Sequence, residues 1–206
     1  RNVGRKALLE RSSALLSREV DIEITSRYPR WEPLHSRCGA RSRRACNFII
    51  CYNSHNMTKR VVIGTDHAAF ALKEILKNHM LEKGIDVIDE GTFSDESVDY
   101  PPIGQKVAGV MLEHKISGVF LGGSGIGESI AGNKIAGIRA ARCTTVEDAL
   151  MSRKHNDANM ICMGGRMIDP DLAKQVLDKF LETDFDGERH ERRLKQIHEM
   201  DGYPYP

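Results

Sequence analysis

Glu128 stands in the stretch GGSGIGESIAGNK (Gly122–Lys134), where four glycines fall within six residues and a carboxylate follows directly. Glycines at such a turn let successive backbone N–H groups point inward at a helix start, where the dipole favours negative charge. An anion or a developing oxyanion belongs there. A carboxylate held ionised beside those donors is suited to removing a carbon-bound proton while the neighbouring oxygen takes up charge, which is enolisation. The dipole alone also favours an acid in a first helical turn, so a purely structural Glu128 stays open from this pattern.

The stretch completes neither nucleotide fingerprint it approaches. A dinucleotide turn needs G-x-G-x-x-G, but Glu128 occupies the place of the third glycine, and the turn follows the third predicted strand instead of the first. A P-loop needs G-K-[ST] after its spacer, whereas Gly132 is followed by Asn133 and Lys134 and would lie inside the helix.

The other candidates are polar residues at predicted element ends. Asp66 is the expected N-cap after the first strand, with His67 either a cap neighbour or a functional group. SRKHNDAN (Ser152–Asn159) holds His155 and Asn156 at a polar helix end, where the dipole favours histidine. Arg189 and Arg193 are four apart on one predicted helix face, with His190 beside them. Such a run suits a solvated face, and planar guanidinium forks also suit phosphate.

The elements that must position these residues alternate from Lys59 onward. Predicted strands are Arg60–Gly64, Ile85–Asp89, Gly118–Gly122, Ile138–Cys143 and Asn159–Gly164. Helices are predicted from Ala68 to Gly84, after Pro101-Pro102, from the glycine turn to about Ile135, over Val146–Asn156, over Asp169–Glu182, and from about Gly187 to Met200. Five strands alternating with helices predict an α/β, Rossmann-like, doubly wound five-stranded parallel sheet closed by a C-terminal helix. Ligands bind beyond the carboxyl ends of such strands. Thr65, Asp66 and His67, then Asp99 and Tyr100, Gly122 to Glu128, Cys143 and Thr144, and Gly164 to Arg166 therefore form the expected rim.

Composition narrows the partners. The 206 residues suffice for one well-buried domain, and the net charge of +1 hides an asymmetry: +6 over residues 1–56 and −5 over 57–206. The part expected to fold is mildly acidic, which argues against nucleic acid. The run FIICY (Phe48–Tyr52) is too short to span a bilayer. Five scattered cysteines, Cys38, Cys46, Cys51, Cys143 and Cys162, have no C-x-x-C pair and no histidine at metal spacing, and read as reduced thiols in a cytoplasmic protein. Cys143 and Cys162 read as small core residues.

Residues 1–56 sustain no helical or strand period and are expected to be a poorly ordered N-terminal extension, with 57–206 the folded domain. Their Arg and Ser content suits a transit peptide, but REVDIEI groups three acids, which such peptides avoid. The chain begins with Arg, and Met57 falls directly before a strand, so upstream translated sequence or an expression remnant ahead of a natural start at Met57 is the expectation.

From Lys59 to about Met200 the chain resembles the type B ribose-5-phosphate isomerases and their relatives acting on other sugar phosphates, through GTDHAAF, GTFSDESVDYP, GGSGIGESIAGNK, GIRAA, SRKHNDAN, GGRMI and GERHERR in family order. The resemblance implies an aldose–ketose isomerase of the pentose phosphate pathway that works through an enediolate, without metal or cofactor. By position it implies that Asp66 and His67 contact the sugar phosphate, Tyr100 lines the sugar, and His155 opens the furanose ring. Asn156 and the amides of Gly123, Ser124, Gly125, Ile126 and Gly127 would hold the reacting oxygens, and Arg166, Arg189 and Arg193 the phosphate. It further implies a homodimer or tetramer with a site shared between chains. Many members of that family carry a Cys base where this chain has Gly122, and another branch uses a Glu at the position of Glu128. Glu128 is therefore the expected base here. The alternatives are isomerisation of a galactose, allose or tetrose phosphate, and noncatalytic sugar-phosphate binding.

Overall fold

The computed structural model describes residues 59–203, so the expectations for residues 1–56 and Met57 lie outside the described residues. β1 (Arg60–Thr65), β2 (Asp86–Asp89), β3 (Ser117–Gly122), β4 (Ala140–Arg142) and β5 (Met160–Gly164) form one sheet in the order β2-β1-β3-β5-β4, with every neighbouring pair parallel. The helices are α1 (Phe70–Glu82), α2 (Tyr100–His114), α3 (Ile126–Gly132), α4 (Val146–Asn156), α5 (Pro170–Glu182) and α6 (Glu191–Asp201).

Alternation along the central strands builds two cores. Val61, Ile63, Val119, Leu121, Ile161 and Met163 face one way and meet α1, α4 and α5 through Leu72, Leu76, Ala149, Val176, Leu177 and Phe180. Val62, Phe120, Met160 and Cys162 face the other way and meet α2 through Ile103, Val107, Ala108 and Met111, with Ala131 of α3 beside them. A sheet buried on both faces explains why its strands read as continuous apolar runs. Cys143 and Cys162 are buried in these cores, as expected.

The boundaries that differ from the sequence reading have local causes. Two prolines in its first turn let α2 start at Tyr100, ahead of them. α3 stops at Gly132 instead of near Ile135 because the Asn133 side chain bridges Ser129 O and the backbone of Ala140, turning the chain into β4. α6 starts at Glu191 instead of Gly187 because Gly187 and Glu188 take φ of 68° and 47°, outside the helical region. Arg189 therefore precedes the helix, and the expectation that it shares a helix face with Arg193 fails.

Sequential strands diverge at one place. β1 leads outward to β2, while β3, on its other side, leads past β5 to β4. A crevice opens where such paths part, at the carboxyl ends of β1 and β3. Phe120, fully buried under α2, ties that part of β3 to its helix layer. Phe120→Ala should cost about 3–5 kcal/mol in urea unfolding, and a loss below about 1 kcal/mol would contradict this packing.

Candidate active site

Three loops meet at that crevice. After β1, Asp66 holds an extended backbone and its Oδ1 accepts from Ala68 N at 2.9 Å, capping a short turn of His67–Ala69. The N-cap expectation for Asp66 holds. His67 Nδ1 accepts from Val98 N at 3.3 Å, which ties it to the loop between β2 and α2. After β5, Gly165 N donates to Gly122 O and Arg166 N to Gly123 O, at 2.8 and 3.2 Å, so Arg166 lies against the glycine loop.

Within the glycine loop, Gly125 has φ of 74°, a left-handed conformation that lets the chain turn directly into α3. Glu128, in the first turn, is 3% exposed, and its Oε2 is buried with no hydrogen-bond partner. A Cβ on Gly122 would overlap this carboxyl group, so the side chain fills the space that the missing side chain leaves at the end of β3. Burial pushes the carboxyl up from the usual glutamate range, its own N–H pulls it back, the Asp66 charge pushes it up again, and the Gly125 N–H opposes both. The net direction is upward. A buried, incompletely partnered carboxyl with a raised pKa is suited to general-base work near neutral pH.

The amides of the loop divide their work. Those of Gly125 and Glu128 serve the Glu128 carboxylate, and that of Ile126 donates to Ser124 Oγ at 3.3 Å. Among the described residues, the N–H groups of Gly123, Ser124 and Gly127 have no protein acceptor. The tyrosyl ring of Tyr100 lies against Gly127, where a Cβ would come within 2.9 Å of its hydroxyl. One rim thus gathers Asp66, His67, Tyr100, the glycine loop, Glu128 and Arg166.

The remaining candidates lie elsewhere. His155 and Asn156 end α4 and precede β5, so they sit at the amino ends of the strands. The five-residue β5 puts roughly 15 Å of sheet between them and the rim. There the His155 ring stacks on His190, centroids 4.4 Å apart and 9° from parallel. Arg189 Nε donates to His190 Nε2 at 3.1 Å, and burial, then the charges of His155, Arg189 and Arg193, hold His190 below its ordinary range. His155, His190, Arg189 and Arg193 are therefore one cluster, separate within the chain from the Glu128 rim.

Two residues at the rim escaped the sequence reading. Arg142, at the end of β4, donates from Nε to Ser124 O at 2.9 Å. Lys73, in the apolar stripe of α1, is fully buried and bonds the β2–α2 loop. Only the second had a sequence signal, a lysine between Leu72 and Leu76. The two buried cysteines are unsuited to act as bases: burial pushes Cys143 up to about 11 and raises Cys162 as well. Among the described residues, no three or more His, Cys, Asp or Glu are grouped to hold a metal.

Residues 61–197 match a family described as Ribose/Galactose Isomerase. Ribose-5-phosphate isomerase B of Escherichia coli is 40% identical over 140 residues, covering 68% of this chain and 94% of that protein. Ribose-5-P isomerase B of Listeria innocua is 40% identical over 146 residues, 69% of this chain and 97% of that protein. Among solved structures, a ribose 5-phosphate isomerase of Thermotoga maritima is 48% identical with a TM-score of 0.67, covering 68% of this chain and 98% of that one. A type B ribose 5-phosphate isomerase of Trypanosoma cruzi is 42% identical with a TM-score of 0.68, covering 71% and 98%.

The overlap at Gly122 supplies a direct test of the carboxyl's environment. Gly122→Ala should force Glu128 out of its slot, and an NMR titration of its carboxyl should move down toward the ordinary glutamate range. An unchanged titration would show that Glu128 does not occupy that space.

Proposed function

The chain belongs to the ribose/galactose isomerase family, and we infer that it interconverts ribose 5-phosphate and ribulose 5-phosphate. The observation that carries the mechanism is the Glu128 carboxylate, buried in the slot opened by Gly122, with one oxygen unpartnered, beside the glycine loop. Glu128 takes the proton from C2 of the open-chain aldose, and the electron pair moves to form the enediolate. The same carboxyl then returns the proton to C1 while the hydroxyl proton passes from O2 to O1, giving the ketose with no net change in protons or electrons. The N–H groups of Gly123, Ser124 and Gly127 stabilise the oxygen that gains charge, with Ser124, Ile126 and Gly125 shaping the loop. Asp66, His67 and Tyr100 contact the sugar, and Arg166 binds at the rim.

Ring opening and phosphate binding fall to the second cluster. His155 moves the proton that opens the furanose, Asn156 holds a reacting oxygen, and Arg189 and Arg193 bind the phosphate by charge-assisted hydrogen bonds. Because these residues lie at the opposite edge of their own sheet, they serve the Glu128 rim of another copy. The active unit is accordingly a homodimer or a tetramer built from such dimers. One observation supports a partner beside the rim: Ile126 and Ile130, 51% and 57% exposed, present an apolar face on α3. Two buried free thiols suit a cytoplasmic enzyme, and among the described residues no helix is long and apolar enough to cross a membrane.

Glu128→Gln keeps the shape and removes the base. Its isomerisation of ribose 5-phosphate should fall by about 10²–10⁴-fold or more. In the parent, kcat/KM should decline as pH falls through a Glu128 pKa above the ordinary glutamate range, because only the ionised carboxyl accepts a proton. Parent-like turnover in Glu128→Gln would remove Glu128 from the reaction.

A further inference from the structure

Lys73 is one of the four buried residues of α1, with Leu72, Leu76 and Met80, yet its 0% exposed side chain ends in a charge. A methionine or leucine at such a place would pack without the cost of dehydrating an ammonium. Its contacts show where that charge is used. Nζ donates to Asp89 Oδ1 and Oδ2 at 3.0 and 2.8 Å and to Thr92 O at 2.9 Å, and pairs with Glu74 Oε1 at 3.0 Å. The rings of Phe70 and Phe93 close over it, at 5.3 and 4.7 Å from their centroids. Burial pushes the Asp89 carboxyl up, but hydrogen bonds and charge from Lys73 and Lys77 outweigh this and hold it below the usual range.

Thr92 and Phe93 lie in the first half of the loop that runs from Asp89, the end of β2, to Tyr100. Residues 95–99 of that loop are exposed, and its far end is held by Val98 N on His67 Nδ1. Lys73 is thus the buried anchor of a segment whose other end sets the positions of His67 and Tyr100. Glu128 is held independently, by β3, Gly122 and the start of α3.

We propose that Lys73, with Asp89 and Phe93, is a positioning residue that fixes the β2–α2 loop and thereby sets the length of sugar phosphate the rim accepts. The inference rests on the isomerase reading and adds to it a determinant of substrate size. A merely structural lysine would lower stability and leave substrate preference alone. An anchor for the loop should separate binding from turnover, because the loop carries sugar contacts and the base is held elsewhere.

Lys73→Met and Phe93→Ala should be assayed with ribose 5-phosphate and with a hexose 6-phosphate, alongside hydrogen exchange. Lys73→Met should raise KM for ribose 5-phosphate about tenfold with kcat within about threefold of the parent. The ratio of kcat/KM for pentose over hexose should shrink, and amides of residues 92–99 should lose protection while those of β3 keep it. Phe93, 72% exposed, can be truncated without threatening the fold, and Phe93→Ala should shift KM and preference the same way by a smaller factor. Should Lys73→Met fail to fold, Phe93→Ala decides. A parent inactive on ribose 5-phosphate would sink the isomerase reading itself. An active parent with KM and size preference unchanged in the folded variants would overturn the role of Lys73 alone.

Discussion

The space left by one absent side chain governs this site. At the end of β3, Gly122 has no Cβ, and the Glu128 carboxyl lies where that Cβ would be. A side chain at 122 would push the Glu128 carboxyl out of the place it now occupies. Burial in that slot raises the Glu128 pKa, and the loop amides temper the rise. Those same amides explain why the glycine turn resembles a phosphate loop without being one. Two of its N–H groups serve the protein's own carboxylate, which leaves too few to wrap a phosphate chain.

Parallel topology imposes the second constraint. Every strand points the same way, so a residue following a strand and a residue ending a helix fall on opposite edges of the sheet. Glu128 belongs to the first kind and His155 to the second. A single chain cannot bring them together without abandoning the fold, whereas a second copy related by a two-fold axis can place each cluster against its counterpart twice over. The stacking of His155 on His190, and the Arg189 bond to the same imidazole, keep these three side chains together as one unit.

Much of this was legible in the sequence, for physical reasons. Strands buried on both faces betray themselves as apolar runs, and Pro170 in the first turn marks the start of α5 with little ambiguity. The glycine loop and Glu128 were legible because glycine clusters and a first-turn acid have few purposes. What stayed hidden depended on distant partners or on backbone states without a residue signature. The left-handed Glu188 gives no signal, since non-glycine residues seldom adopt that conformation, and together with Gly187 it sets Arg189 ahead of α6. The burial of Lys73 needs Asp89 and Thr92, sixteen and nineteen residues away, to make sense of a charge in an apolar stripe. Asn133 reads as a loop residue until its amide is seen bridging α3 to β4.

The central claim is that one catalytic site draws Glu128 from one chain and His155 from another. Subunit mixing tests it most directly. Glu128→Gln and His155→Asn proteins, each nearly inactive on ribose 5-phosphate alone, should recover about a quarter of the parent rate after equal mixing and subunit exchange, the share of intact sites when two-fold dimers reassort. A mixture in which subunits demonstrably exchange yet no activity returns would contradict a site shared between chains.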